Sequence, residues 1–298
     1  MRIEEPSSGP PRPSGPRDPG DAWVVTDAGD RYWGRFGAAG LLAHDPARGV
    51  LLQHRVSWSH HGGTWGIPGG ARHEGESATD AAIRESREEA GVPAAALRSR
   101  FTSVLDLDVW TYTTLVADVV DPFEPVIADP ESYALEWVPL DEVDALPLHP
   151  GFADSWEPLR ALLTVRPTVL VDAANVVGSV PDGWWRDRTG AASRLLERLQ
   201  GLSRLGVVAS ELSLPGDTWY PHVVAVLEGE ARAAADPADA VEVVRADAAG
   251  DDTLVAEARR RVGDGERVLL VTSDRALGER AVAVGAEVRG ASWLRDRV

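Results

Sequence analysis

Apolar residues fall in short runs along this chain, and the runs change character near residue 166. Before that point, strand-like stretches at 36–44, 50–55, 101–120 and 134–140 are separated by turn signals such as Asp45-Pro46 and Asp121-Pro122. A helix is predicted near 78–90 and a short one around 159–163. From Pro167 the apolar runs become continuous, at 169–171, 223–227, 241–244 and 268–271, and alternate with helical stretches at 191–200, 253–262 and 277–284. Continuous strands alternating with helices predict a parallel sheet covered on both faces. The expected class is therefore α/β throughout, with one domain over 22–165 and a second, of different architecture, over 167–298. Residues 1–20 carry Pro6, Pro10, Pro11, Pro13, Pro16 and Pro19 among Ser and Gly, and are predicted to be a disordered tail.

Composition narrows the chemistry. A chain of 298 residues, 44% hydrophobic and 26% charged, has room for two globular cores. It has no cysteine, so a metal must be held by oxygen or imidazole, and carboxylate ligands favour magnesium or manganese. Every one of the 30 basic residues is arginine. The net charge of −17 argues against a protein that coats nucleic acid nonspecifically. No apolar run is long enough to span a membrane and no signal peptide opens the chain, so a cytoplasmic location without a membrane partner is expected. Nothing in the sequence predicts an oligomeric state.

The first chemical signal is a glycine loop leading into an acidic helix. Gly69-Gly70-Ala71-Arg72-His73-Glu74-Gly75-Glu76 precedes Ser77, a good N-cap with Asp80 three residues on, and Gly91 stands where a left-handed stop is expected. At helical spacing Glu85, Glu88 and Glu89 share one face and repel one another unless cations neutralise them. Arg84 can pair with Glu88 one turn later. The remainder suits a divalent ion bridging a pyrophosphate, screening its charge and activating a water.

These residues read G-x5-E-x7-R-E-x-x-E-E-x-G over Gly70, Glu76, Arg84, Glu85, Glu88, Glu89 and Gly91, a pattern that resembles the Nudix box. Ser86 departs from it, standing where the family usually has an aliphatic residue. The resemblance extends over about 32–160, through the strand and loop at 65–70 and the ending Glu136-Trp137-Val138-Pro139-Leu140 with Leu148-His149-Pro150-Gly151-Phe152. It implies an α/β/α sandwich with a mixed sheet, and a metal-dependent hydrolase attacking a nucleoside diphosphate linked to some group X. By position, the Gly70 carbonyl and the side chains of Glu85, Glu88 and Glu89 would bind Mg2+ or Mn2+, Glu76 would brace the loop and Arg84 would orient a glutamate. The general base is left open. Trp58, Trp65, Trp110 and Tyr112 are candidates either for stacking on a base or for the core. His54, His60 and His61 are expected near the mouth of the site.

The second signal is a set of acids at predicted strand ends: Asp172 with Asn175, then Asp251 and Asp252 after Gly250, then Asp274 after Thr272-Ser273. Carboxyl ends of parallel strands gather at one edge, where ligands bind. Asp172, Asp251 or Asp252, and Asp274 would converge there and call for a cation. Asp251 and Asp274 also fit the role of helix N-caps. The pattern resembles the NYN branch of the PIN-like nucleases, which implies a Rossmann-like domain whose metal site cuts RNA, with Glu228 a loose candidate for a fourth acid. Arg275 and Arg259, Arg260 and Arg261 are candidates to meet a phosphate backbone, the last three being equally readable as a solvated charge run. The leading expectation is a nucleotide pyrophosphohydrolase joined to an RNA-binding or RNA-cleaving domain; the alternative is a nucleotide sensor whose second domain binds RNA or protein without catalysis.

Overall fold

A computed structural model describes residues 1–4, 18–181, 183–237 and 240–297. The chain divides into two compact units, Met1–Leu163 and Thr164–Val298. Among the described residues no helix is long and apolar enough to cross a membrane.

The first unit opens with an antiparallel meander of β1 (Arg2–Glu4), β2 (Trp23–Val25) and β3 (Arg31–Trp33). Its main sheet is built from β4 (Ala38–Asp45), β5 (Gly49–Arg55), β6 (Trp65–Gly66), β7 (Gly69–Ala71), β8 (Leu97–Asp106), β9 (Thr111–Val119) and β10 (Ser132–Val138). The sheet is mixed: β4 runs parallel to β9 and antiparallel to β5 and β7, while β10 pairs with β5 and β8 with β9. Every residue of β4 is buried. Its small start, Ala38-Ala39-Gly40, lets β7 cross at close range, since a Cβ on Gly69 would lie 2.5 Å from both the Ala39 carbonyl oxygen and the Gly40 Cα.

Helix α1 (Ala78–Ala90) packs on β4, β7 and β9. The Ser77 hydroxyl accepts the Asp80 amide at 3.1 Å and donates to the Asp80 carboxylate at 2.6 Å. Gly91, at φ 66°, stops the helix: its amide donates to the Arg87 carbonyl, and the Val92 amide donates to the Ser86 carbonyl. Ser86 is fully buried, and its hydroxyl is satisfied by the Ile83 carbonyl at 2.9 Å, so the polar residue at an aliphatic place leaves no unpaired group. Helix α2 (Pro150–Leu162) is much longer than the expected 159–163, and buries Phe152, Trp156 and Leu159.

Two further expectations change. The run 101–120 is a hairpin, not one strand: Leu107 donates to the Trp110 carbonyl and Asp108 takes φ 61°, a turn signal hidden inside an apolar stretch. Arg2, Ile3 and Glu4, expected in the tail, pair with β2. Pro6, Pro10, Pro11, Pro13 and Pro16 lie outside the described residues.

The second unit contains β11 (Pro167–Asp172), α3 (Ala173–Gly178), α4 (Arg188–Leu205), the short hairpin of β12 (Val207–Val208) and β13 (Thr218–Trp219), and β14 (His222–Leu227). It continues through β15 (Val241–Arg245), α5 (Gly250–Gly263), β16 (Arg267–Val271), α6 (Arg275–Val282), β17 (Glu287–Arg289) and α7 (Ala291–Arg295). Its sheet is parallel throughout, in the order β15-β14-β11-β16-β17. Leu170 lies in register with Val224 and Leu270, and this layer packs against Leu254, Val255 and Ala258 of α5 and Leu277 and Ala281 of α6. Val169, Val171, Val223 and Ala225, which alternate to the opposite face, are equally buried, so both faces are covered. The chain leaves β11 toward one side of the sheet and later returns to the other, which puts the switch point at the carboxyl ends of β11 and β16.

Candidate functional site

In the first unit the glycine loop and α1 meet around one arginine. Arg84 donates from Nε to Glu76 Oε1 at 2.8 Å and from Nη2 to Glu76 Oε2 at 2.9 Å, a bidentate clamp across the loop. Its Nη1 reaches Glu85 at 2.8 Å and Glu88 at 3.3 Å, and Nη2 also donates to the Ala71 carbonyl at 2.9 Å. The arginine thus ties the loop after β7 to two acids of the helix. Glu89 accepts the Gly69 amide at 2.9 Å. Gly70 lies directly against Glu85: a Cβ there would sit 2.6 Å from the carboxyl carbon, so any other residue would displace the loop or the Glu85 carboxylate.

The four acids differ electrostatically. Glu76, hydrogen-bonded by Arg84 and by the His73 amide, is held down at about 2. Glu85 is pushed up to about 7 by burial, against the pull of Arg84. Glu89 is raised well above the ordinary carboxylate value, first by burial and then by the charges of Glu85 and Asp129. Glu88 is half exposed. Two buried carboxylates beside a glycine loop form an all-oxygen donor set whose charged state is unfavourable without a cation, and this fits a hard divalent ion.

Three residues here carried no signal in the sequence. Asp129 and Glu131, in the segment before β10, bring carboxylate oxygens within 4.8 Å of Glu89. Arg55, at the end of β5, acts electrostatically on Glu89 and Asp129 and also on His60 and His149. Single acids in a loop, and an arginine that merely ends a strand, have no local pattern to distinguish them.

The aromatic candidates separate. Trp65 is buried and stacked on His54, with ring centroids 4.7 Å apart, and His54 Nε2 lies 3.3 Å from the Gly63 carbonyl. The Trp110 indole donates to the Trp33 and Gly34 carbonyls and its ring stacks on Tyr32. Tyr112 is enclosed near Glu89, and burial raises its phenol. Trp58 alone of the four is exposed. His60 and His61 meet His149, a third histidine brought in by the start of α2.

In the second unit the strand ends do come together. Asp172 Oδ1 accepts the Asn175 amide at 3.0 Å and Oδ2 the Thr272 hydroxyl at 2.8 Å, while Asn175 Oδ1 accepts the Ser273 amide at 2.8 Å. The Asp172 carboxyl is raised by burial and by the charges of Asp251 and Glu228. Glu228 in turn accepts the Gly250 amide at 2.7 Å. Of the two adjacent exposed acids, Asp251 is the one whose charge acts on Asp172, and Asp252 is paired with Arg280. Asp274 accepts the Leu277 amide at 2.9 Å as the cap of α6. Among the described residues, clusters whose ligand atoms all lie within 4.8 Å are His60-His61-His149 and Glu89-Asp129-Glu131, so the acids of the second unit stand further apart. Arg261 is not a solvated residue: it is buried in ion pairs with Glu242, Glu257 and Glu266.

Comparison with known proteins returns a consistent match to the first half. The NUDIX domain family matches residues 34–162. A Mycobacterium tuberculosis protein named "Putative 8-oxo-dGTP diphosphatase 3" is 50% identical over 166 residues, covering 52% of this chain and 76% of that protein. A Bifidobacterium longum nucleoside triphosphate pyrophosphatase/Nudix hydrolase fusion protein is 40% identical over 153 residues, 49% of this chain and 32% of its own. The crystal structure of a Nudix hydrolase from M. smegmatis, RenU, is 49% identical and covers 48% of this chain and 95% of its own, with a TM-score of 0.44.

Proposed function

Because the chain belongs to the Nudix family, we propose that its first unit hydrolyses the phosphoanhydride link of a nucleoside triphosphate, with an oxidised purine nucleotide as the first substrate to try. The observation that carries this reading is the Arg84 clamp, which gathers Glu76, Glu85 and Glu88 beneath the Gly69-Gly70 loop while Glu89 holds the loop amide. The choice of substrate is supported by the name of the M. tuberculosis relative.

In this reading Gly70, through its carbonyl, and Glu85, Glu88 and Glu89 hold Mg2+ or Mn2+. When bound, such an ion neutralises phosphate charge and acidifies a water. Glu76 holds Arg84, and Arg84 fixes the carboxylates of Glu85 and Glu88. Asp129 and Glu131, close to Glu89, are placed to take the proton of the attacking water. Water adds to the phosphorus next to the nucleoside, the bridging P–O bond breaks, and a nucleoside monophosphate and pyrophosphate leave. The second unit is read as a NYN/PIN-like domain that binds or cleaves RNA, with Asp172, Asn175, Asp251 and Glu228 around its metal and Asp252 and Asp274 in supporting positions.

The test is incubation of the full chain with Mg2+ and a panel of nucleoside triphosphates, oxidised nucleotides, nucleotide sugars and dinucleotides, beside a Glu88→Gln, Glu89→Gln variant. Metal-dependent release of a nucleoside monophosphate, lost in the variant, is expected. Binding without turnover across the panel would replace the hydrolase reading with that of a nucleotide sensor.

A further inference from the structure

Outside the carboxylate site, the first unit gathers imidazoles and an arginine in one place. Ring nitrogens of His60, His61 and His149 lie within 4.8 Å of one another, with ring centroids 4.1 Å apart for His60 and His61 and 4.7 Å for His61 and His149. The three come from two separate segments that are fastened together: the Trp65 amide donates to the Pro147 carbonyl, and the His149 amide donates to the Trp65 carbonyl. The loop bearing His60 and His61 is itself built. Arg55 Nε donates to the His60 carbonyl, Thr64 Oγ1 to the His61 carbonyl, and His61 is held at φ 54°, a conformation that a side chain other than glycine takes only at a cost.

The charges are one-sided. Burial and the neighbours Arg55, His61 and Arg31 lower His60; burial and the neighbours Arg55, His61 and His60 hold His149 down at about 4. The charged groups that shift His60 and His149 are all arginine or histidine, in a protein whose net charge is −17. His149 Nδ1 accepts the Gly151 amide at 3.2 Å, which places the ring proton on Nε2 and makes the free nitrogen a donor. A metal at His149 would need that nitrogen as a lone pair; the N–H it presents, beside the Arg55 charge, suits an anion.

We propose that Arg55, His60, His61 and His149 form a subsite for a terminal phosphate, the dianionic end of a phosphate chain. The proposal rests on the hydrolase reading for its role: the charge of Arg55 acts on Glu89 as well as on His60 and His149, so the subsite would hold the far end of the triphosphate and then the departing pyrophosphate. It selects substrates with a free terminal phosphate over those capped at both ends.

The test uses the full chain and a His60→Ala, His61→Ala variant of two exposed residues, with circular dichroism and thermal melting to show that it folds as the wild type does. Calorimetric titration with inorganic pyrophosphate in the presence of EDTA reads the subsite without the carboxylate site; binding that weakens about tenfold in the variant is expected. In Mg2+, KM for a nucleoside triphosphate should rise about tenfold with kcat within about twofold, while KM for a dinucleoside polyphosphate of the same base, which has no terminal phosphate, stays unchanged. Pyrophosphate that binds the variant as tightly as the wild type overturns the proposal, as does an equal effect on both substrates. Pyrophosphate binding lost in the variant of a protein that hydrolyses nothing would keep the anion site and remove the hydrolase reading, with free phosphate or pyrophosphate then its ligand.

Discussion

Arg84 holds both carboxylate oxygens of Glu76, at 2.8 and 2.9 Å, and spends its remaining nitrogen on Glu85 and Glu88. One side chain therefore fixes the loop that precedes α1 and the acids that project from it. Glu76 and Arg84 are each about 15% exposed, so solvent screens the pair little.

Replacing Arg84 by methionine should lower the unfolding free energy by about 2–3 kcal/mol, because Glu76 loses its partner in a partly buried place. Turnover should fall about 100-fold as Glu85 and Glu88 lose their positions. Urea denaturation and steady-state kinetics on the same preparation check both. Full activity in the methionine variant would show that the clamp is not what orders the acids.

The clamp also sets an acid limit. The folded Glu76 carboxyl is depressed from 4.5 to about 2, so its contribution is present above its unfolded value and is lost as pH falls from about 4.5 toward 2. Glu76→Gln should flatten this limb of the stability curve, by at most about 3 kcal/mol between pH 6 and pH 2. Denaturation at a series of pH values measures the difference between the two proteins. Parallel curves for wild type and variant would contradict the coupling.

Glu89 works in the opposite sense. Its folded carboxyl is raised, so it favours folding at low pH and costs stability as pH rises through the raised value. Glu89→Gln keeps an acceptor for the Gly69 amide but removes the buried charge. At pH 8 without divalent metal the variant should therefore melt at a higher temperature than the wild type. Added Mg2+ should raise the melting temperature of the wild type, by about 2.7 kcal/mol of stability at a hundred times Kd, and do little to the variant. A variant that melts lower than wild type without metal would mean that the charge is compensated by the protein alone.

Gly70→Ala is a steric probe of the same place. The added Cβ would meet the Glu85 carboxyl carbon at 2.6 Å, and either the loop or the acid must move. Activity should drop about 100-fold with the circular dichroism spectrum unchanged. Retained activity would separate Glu85 from the reaction.

How far the sequence could be read depended on whether the signal was local. Helix α1 was legible because its caps, Ser77 and Gly91, and its acids all fall within one stretch. The parallel sheet of the second unit was legible because buried strands are continuous apolar runs. The turn at Asp108 was not, since it interrupts an apolar stretch without Gly or Pro, and α2 was not, since Pro150 and Pro158 fall within it. Asp129, Glu131, Arg55 and His149 reach the site through tertiary contacts, which leave no periodicity. The choice between Asp251 and Asp252 turned on which face of α5 looks toward β11, something that adjacent acids cannot reveal.

That choice gives the last prediction. The charge of Asp251 acts on the buried Asp172, together with that of Glu228, whereas Asp252, exposed like Asp251, is paired with Arg280 on α6. In a Glu88→Gln, Glu89→Gln background, which removes two of the first unit's acids, the change in Mn2+ affinity on replacing an acid of the second unit, followed by calorimetric titration, reads that unit. Asp172→Asn and Asp251→Asn should each weaken that binding at least about tenfold, because each removes a charge from the group around the ion. Asp252→Ala should leave it unchanged. Asp274→Ala should cost about 1 kcal/mol of stability through loss of the α6 cap, with or without Mn2+. Equal losses of Mn2+ affinity in all four variants would mean that general negative charge, and not the Asp172 and Asp251 pair at the end of β11 and the start of α5, draws the ion; no Mn2+ binding in the background protein would leave the second unit a domain without a metal site and remove the nuclease reading with it.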